Sequence, residues 1–192
     1  MPCLFNNGEP KTIYFNDSPV KQVVFNGVVV WPSAKDITLS TAVSSSTFTL
    51  RPDAYATTSS GTLTANNPFI VVSSTATNGR IPIICNGNNG FGMYWISNLS
   101  RTIKTTVTVK TNNMIVFLSN TNNTTKTIYK DKTESSSVLA AVKDWPIFVA
   151  HEKEPKDGFY HVRHGEIDGY VTTNYMSDVI DLSTMDLSAW TE

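Results

Sequence analysis

Apolar residues in this chain come in short runs separated by hydroxyl and amide residues, and between residues 37 and 133 no 3.6-residue period is visible. β-type runs fall at 47–50, 61–63, 69–72, 81–84, 92–96, 105–109, 114–118 and 125–129. Turn formers lie between them: Ser44-Ser45-Ser46, Asn66-Asn67-Pro68, Asn78-Gly79, the glycine-rich 86–90, Asn112-Asn113 and 120–123. Residues 105–109 alternate Thr and Val, the pattern of a half-buried strand. Short strands at roughly ten-residue spacing predict a β-sandwich, Ig-like or jelly-roll-like, over residues 36–133.

The first 35 residues carry a different pattern. Phe-Asn recurs at Phe5-Asn6, Phe15-Asn16 and Phe25-Asn26, each pair followed by a turn former: Asn7, Asp17 or Gly27. Asn26-Gly27 between Val23-Val24-Phe25 and Val28-Val29-Val30 is a strong hairpin signal, because a type I′ turn needs positive φ at both central residues. Hairpins this small are marginal in water by themselves. Phe5, Tyr14, Phe15, Phe25 and Trp31 therefore need a surface to cover. It is either the chain's own following domain or another protein, with residues 1–35 as a docking arm and Asn26-Gly27 at its tightest turn.

Past residue 133 the chain becomes charged and aromatic. Ser135-Ser136-Ser137 before Val138-Leu139-Ala140-Ala141-Val142-Lys143 predicts a capped helix of about two turns, ended before Pro146. Residues 158–163 and 167–172 predict two strands around His164-Gly165-Glu166. The tail from 178 to 192 fits an extended arm or a short helix, and its spacing leaves both open. The expected fold is all-β: an N-terminal hairpin arm (1–35), a sandwich (36–133), and an acidic C-terminal extension (134–192) with one short helix.

Composition sharpens this in two ways. Only 16% of the 192 residues are charged and the net charge is −1, so no electrostatic case exists for nucleic acid as a partner. The charge is also divided. Residues 37–133 hold eight basic and two acidic side chains; residues 134–192 hold four and eleven. The halves either face each other within one molecule or meet head to tail between copies. No apolar run reaches transmembrane length and no basic-then-apolar leader opens the sequence, so neither membrane insertion nor secretion is expected. Cys3 and Cys85 read as reduced, buried thiols, with a disulfide between them the alternative.

Candidate chemistry is sparse. His161-x-x-His164 with Glu166 and Asp168 is the best metal-like grouping, yet a spacing of three puts the two histidines on opposite faces of a strand, and His151 lies ten residues upstream. No metal and no cofactor are expected. The glycine-rich 86–92 lacks the Gly-Lys-Ser/Thr of a phosphate loop and reads as a long hairpin loop. No Gly-x-Ser-x-Gly elbow occurs, and the carboxylate pairs Glu152/Glu154 and Asp178/Asp181 sit in polar stretches, so no catalytic residue is assigned. Phe91, Tyr94 and Trp95 beside exposed asparagines form the one candidate ligand surface, suited to a sugar that stacks on a ring and hydrogen-bonds to amides.

The stretch from Ile13 to Pro32, Ile-Tyr-Phe-Asn-Asp-Ser-Pro-Val-Lys-Gln-Val-Val-Phe-Asn-Gly-Val-Val-Val-Trp-Pro, resembles the short N-terminal repeat of virion proteins from tailed bacteriophages. In that repeat a β-branched–aromatic–Asn/Gly hairpin recurs and closes on an aromatic before Pro. The resemblance implies a non-enzymatic structural component of a phage particle, in tail, baseplate, fibre or head decoration. Such a protein is made in the host bacterial cytoplasm, resides in the virion, and partners other virion proteins and copies of itself. The alternative expectation is a carbohydrate-binding adhesin module that takes a host-surface glycan at Phe91, Tyr94 and Trp95.

Overall fold

The computed structural model describes residues 13–15, 18–20, 23–25, 28–31, 34–72, 75–87, 90–97, 101–185 and 187. The chain divides into two compact units, residues 1–35 and 36–192. In the first, β1 (Ile13–Phe15) pairs antiparallel with β2 (Ser18–Val20), and β3 (Val23–Phe25) with β4 (Val28–Trp31). Cys3, Phe5, Asn26, Gly27 and the side chains of Tyr14, Phe15, Phe25 and Trp31 lie outside what is described.

The second unit is all-β and antiparallel. Its first sheet has five strands in the order β10-β9-β8-β5-β11: β5 (Asp36–Val43), β8 (Phe69–Val71), β9 (Arg80–Gly87), β10 (Gly90–Ser97) and β11 (Thr102–Lys110). A small hairpin of β6 (Phe48–Leu50) and β7 (Gly61–Leu63) covers one face. There Phe48, Leu50 and Leu63 join Phe69, Ile81, Ile83, Cys85, Tyr94 and Ile96 in one apolar cluster. Arg51 ties the hairpin to the sheet edge through reciprocal backbone bonds with Trp95, at 3.0 and 2.8 Å.

The second sheet has seven strands in the order β14-β13-β17-β16-β15-β12-β18. These are β12 (Met114–Phe117), β13 (Lys126–Tyr129), β14 (Val138–Val142), β15 (Ile147–Ala150), β16 (Phe159–His164), β17 (Ile167–Thr172) and β18 (Ile180–Asp181), followed by a 3-10 turn at Leu182–Thr184. β12 and β15 are buried on both faces, which is why Met-Ile-Val-Phe and Ile-Phe-Val-Ala are unbroken apolar runs. Ile115, Phe117 and Ile147 face the first sheet and meet Ile37, Leu39, Ile70, Ile84 and Val109. Val116, Phe148 and Ala150 face the other way, onto Ile128, Tyr160, Val162 and Val171. That last cluster comes from one sheet and its connections, so the sheet curves around its own core.

Each of the eight runs expected between 47 and 129 is a strand, and 158–163 and 167–172 form the β16–β17 hairpin. Gly165, at φ +60 in its two-residue turn, suits the first central position of a type II′ connection. The expected helix at 138–143 is instead β14. Five residues supply too few helical hydrogen bonds to offset nucleation, whereas the open edge of β13 offers partners from Lys126↔Val142 to Tyr129↔Val138. The expected long loop at 86–92 shrinks, since β9 and β10 run on to pair Gly87 with Gly90. The charge boundary at 133/134 runs through the seven-stranded sheet, where β12 and β13 take partners from the acidic segment. Of the tail, Ile180 to Thr184 forms a short strand and a 3-10 turn, the latter capped by the Asp181 carboxylate accepting from Ser183 N at 3.0 Å.

Gly169 marks the tightest crossing in the second sheet. A Cβ there would lie 2.5 Å from the Tyr129 carbonyl oxygen and 2.8 Å from Ile128 Cγ2. Backbone cannot yield as a side-chain tip does. Gly169→Ala is therefore expected to lower stability by about 1–3 kcal/mol, read as a lower urea midpoint at unchanged slope.

Candidate functional site

Three adjacent strands of the curved sheet bring titratable groups together on its solvent side. In β16, Tyr160 and Val162 point inward, so His161 and Arg163 point out; in β17, Gly169 and Val171 point inward, so Asp168 and Tyr170 point out. The register sets His161 opposite Tyr170 and Arg163 opposite Asp168, which makes His161 and Asp168 diagonal neighbours. His151 follows β15 and is pinned by its backbone N–H donating to the His161 carbonyl at 3.0 Å.

The Asp168 carboxylate bridges the two imidazoles. His151 Nε2 lies 2.7 Å from Oδ2 and His161 Nε2 lies 2.6 Å from Oδ1. An ionised carboxylate only accepts, so each ring carries its proton on Nε2. Burial pushes the Asp168 carboxyl up, but hydrogen bonds from His161 and His151 and the nearby imidazole charge outweigh that and hold it below its ordinary value. The imidazoles lie 4.2 Å apart between centroids at 33°, and His161 stacks on Tyr170 at 4.7 Å and 19°. Beside them Glu152 pairs with Lys156 at 2.9 Å; the hydrogen bond from Lys156, with smaller help from the charges of Lys156, His161 and Lys132, lowers its carboxyl pKa. His164 is elsewhere: it packs edge-on against Phe148 on the inner face, its Nδ1 3.2 Å from the Ile147 carbonyl. Glu166 sits in the exposed turn. The sequence thus names His161 and Asp168 and the split from His164, but not the partner His151, whose only signal is its place after an apolar run.

The three aromatics proposed for a ligand do not share a surface. Tyr94 is buried beneath the β6–β7 hairpin. Phe91 packs against the seam between the sheets, edge to face with Phe117 at 5.7 Å and 89°. Trp95 is half-buried. Phe91 alone of the three lines a cavity of about 260 Å³, whose polar wall is Asn67, Asn86 and Ser119. Cys85 is a free, buried thiol pushed up to about 12 by burial, which leaves it unreactive.

A second cleft, of about 190 Å³, has Lys126 in its lining, with Tyr129, Asn174 and Tyr175 around it. Lys126 is buried, and its ammonium donates to Thr172 Oγ1 at 2.7 Å and to the Asn174 carbonyl at 2.6 Å. Burial lowers its pKa to about 8, against a smaller upward pull from Glu134.

No family model and no curated protein sequence matches the chain. Among solved structures it is similar to NlpC2 from Trichomonas vaginalis, at 14% identity and a TM-score of 0.29 over 74% of this chain and 48% of that one. It is likewise similar to NlpC1 from the same organism, at 13% and 0.28 over 76% of this chain and 46% of that one. The chain thus spans under half the length of either protein, and at these scores neither their fold nor their activity carries over.

Lys126 sets a pH dependence of known sign. Between about 8 and 10.5 the unfolded lysine holds a proton that the folded one has released, so stability rises with pH across that window. Relative to Lys126→Met, the native chain should gain on the order of 2 kcal/mol from pH 8 to pH 10.5. Urea denaturation of both at each pH measures the difference.

Proposed function

We propose that this chain is a non-enzymatic structural component of a tailed-phage virion. Residues 1–35 dock it on other virion proteins and on copies of itself. The observation that carries the reading is the regularity of the hairpins. Tyr14↔Pro19 and Val24↔Val29 are the same pairing moved by ten residues, as are Phe15↔Ser18 and Phe25↔Val28. Strands of three or four residues need a covering surface to be stable, and repeated hairpins offer one edge chemistry twice to such a partner. The body from 36 to 192 supports the reading in a second way. Its three apolar clusters give it a core of its own, as a unit mounted on a particle requires.

The full chain is expected to be oligomeric by light scattering and to co-sediment with phage particles. Phe15→Ser, Phe25→Ser and Trp31→Ser together should abolish both behaviours while leaving the thermal midpoint of the body unchanged. A monomeric native chain that never accompanies particles would overturn the proposal. A drop in the midpoint would do so as well, because it would mean that the hairpins serve the chain's own core.

A second reading, glycan binding, is favoured by one observation: the cavity that Phe91 shares with Asn67, Asn86 and Ser119. An aromatic ring beside amide and hydroxyl groups is a sugar-binding chemistry. On a panel of bacterial surface glycans, Phe91→Ala should weaken binding about tenfold and Trp95→Ala should leave it intact. Binding that is lost with Trp95 and kept without Phe91 would sink it.

A further inference from the structure

We propose that His151, His161 and Asp168 form a binding site for one divalent transition-metal ion of the zinc class on the outer face of the curved sheet. The proposal is independent of any role in a virion, since it rests on these side chains alone.

One ligand atom from each residue lies within 4.8 Å of the others, although 17 positions separate His151 from Asp168 in sequence. Each residue stands on or beside a different strand, and the strands are locked by the β16–β17 ladder and the His151-to-His161 backbone bond. Little conformational entropy is left to lose when an ion arrives. Zinc sits about 2.0–2.2 Å from imidazole nitrogen and carboxylate oxygen. Ligands around such an ion are therefore about 3.3 Å apart. The present imidazole–carboxylate separations of 2.6 and 2.7 Å need to open by about 0.6–0.7 Å, and no two of the ligand atoms start more than 4.8 Å apart, so small side-chain rotations bring all three to an ion.

Two imidazoles and one carboxylate are a borderline donor set, which suits zinc, cobalt, nickel or copper over calcium or magnesium. In the metal-free state Asp168 holds both rings through the protons on Nε2. An ion substitutes for those protons: each neutral ring shifts its proton to Nδ1 and presents the Nε2 lone pair, and any imidazolium releases one proton to solvent. Asp168 supplies the negative charge of the set. Tyr170, stacked on His161, fixes the plane of that ring, an orienting role that ligand-bearing imidazoles usually receive from an outer partner.

The side chains of His151, His161 and Asp168 are 37%, 30% and 50% exposed, so an ion reaches them without any opening of the fold. Three protein ligands leave at least one coordination position for water or for a donor from another molecule.

The test is calorimetric titration of the full, tag-free chain with zinc chloride, and separately with cobalt chloride followed by visible absorption. One ion per chain is expected, with cobalt d–d bands typical of nitrogen and oxygen ligation. His151→Ala, His161→Ala and Asp168→Asn should each weaken uptake at least about tenfold; His164→Ala, on the inner face, should not. As a check free of substitutions, cobalt added to the native chain should shift or broaden the ring-proton resonances of His151 and His161 and spare those of His164. Absence of saturable uptake, uptake that survives loss of both His151 and His161, or perturbation centred on His164 would each overturn the assignment.

Discussion

The second unit depends on one apolar seam. Ile37, Leu39, Ile70, Ile84 and Val109 from the five-stranded sheet meet Ile115, Phe117, Ile147 and Ile180 from the seven-stranded one. Five of these lose all contact with water, and burial of an aliphatic side chain of this size is worth about 1.5–3 kcal/mol before ordering costs are met. The seam lets so many threonines face solvent, because a strand with one face in a core tolerates hydroxyls on the other. It also places β12 and β15 at the centre, where both faces must be apolar, and so aligns the strands that carry the histidines.

Polar contacts then trim the seam. Asp144 and Trp145, both at positive φ, form the turn that leads through Pro146 into β15. This is a costly conformation for a bulky residue. It is held from the first sheet: Thr41 Oγ1 donates to the Trp145 carbonyl and Thr105 Oγ1 to the Asp144 carbonyl, each at 2.7 Å. The indole N–H is satisfied by the Asn120 carbonyl at 2.8 Å. The turn sets where β15 begins, and hence where His151 stands after it. Packing of the two sheets and geometry of the imidazole cluster are in this sense one problem.

The inner and outer faces of β16 and β17 show how a single alternation separates structure from chemistry. Inward residues Tyr160, Val162 and Val171 complete a core. Outward residues His161, Asp168 and Tyr170 make a stacked, hydrogen-bonded group with no part in that core. Lys126 is the exception on this sheet, a cation held in a buried position by a hydroxyl and a carbonyl. Its burial lowers the amine's pKa by disfavouring the charged form, whereas the hydrogen-bond donors lower that of Asp168 by favouring its charged form.

Short-range patterns along the chain were enough to locate most strands, because side-chain alternation and turn chemistry act over two to four residues. The β16–β17 hairpin and the opposed faces of His161 and His164 follow from the sequence alone for that reason. Pairing is another matter. β12 lies between β15 and β18 and not beside β13, and residues 138–142 become an edge strand because β13 offers open hydrogen-bonding groups. Neither fact has a local signal, since five residues of Val, Leu and Ala satisfy helix and strand patterns alike. The meeting of His151 with His161 and Asp168, and the docking of Phe91 on the seam beside Phe117, belong to the same class. They are decided when distant strands choose neighbours to bury the seam, an energy that exists only once the chain has folded back on itself.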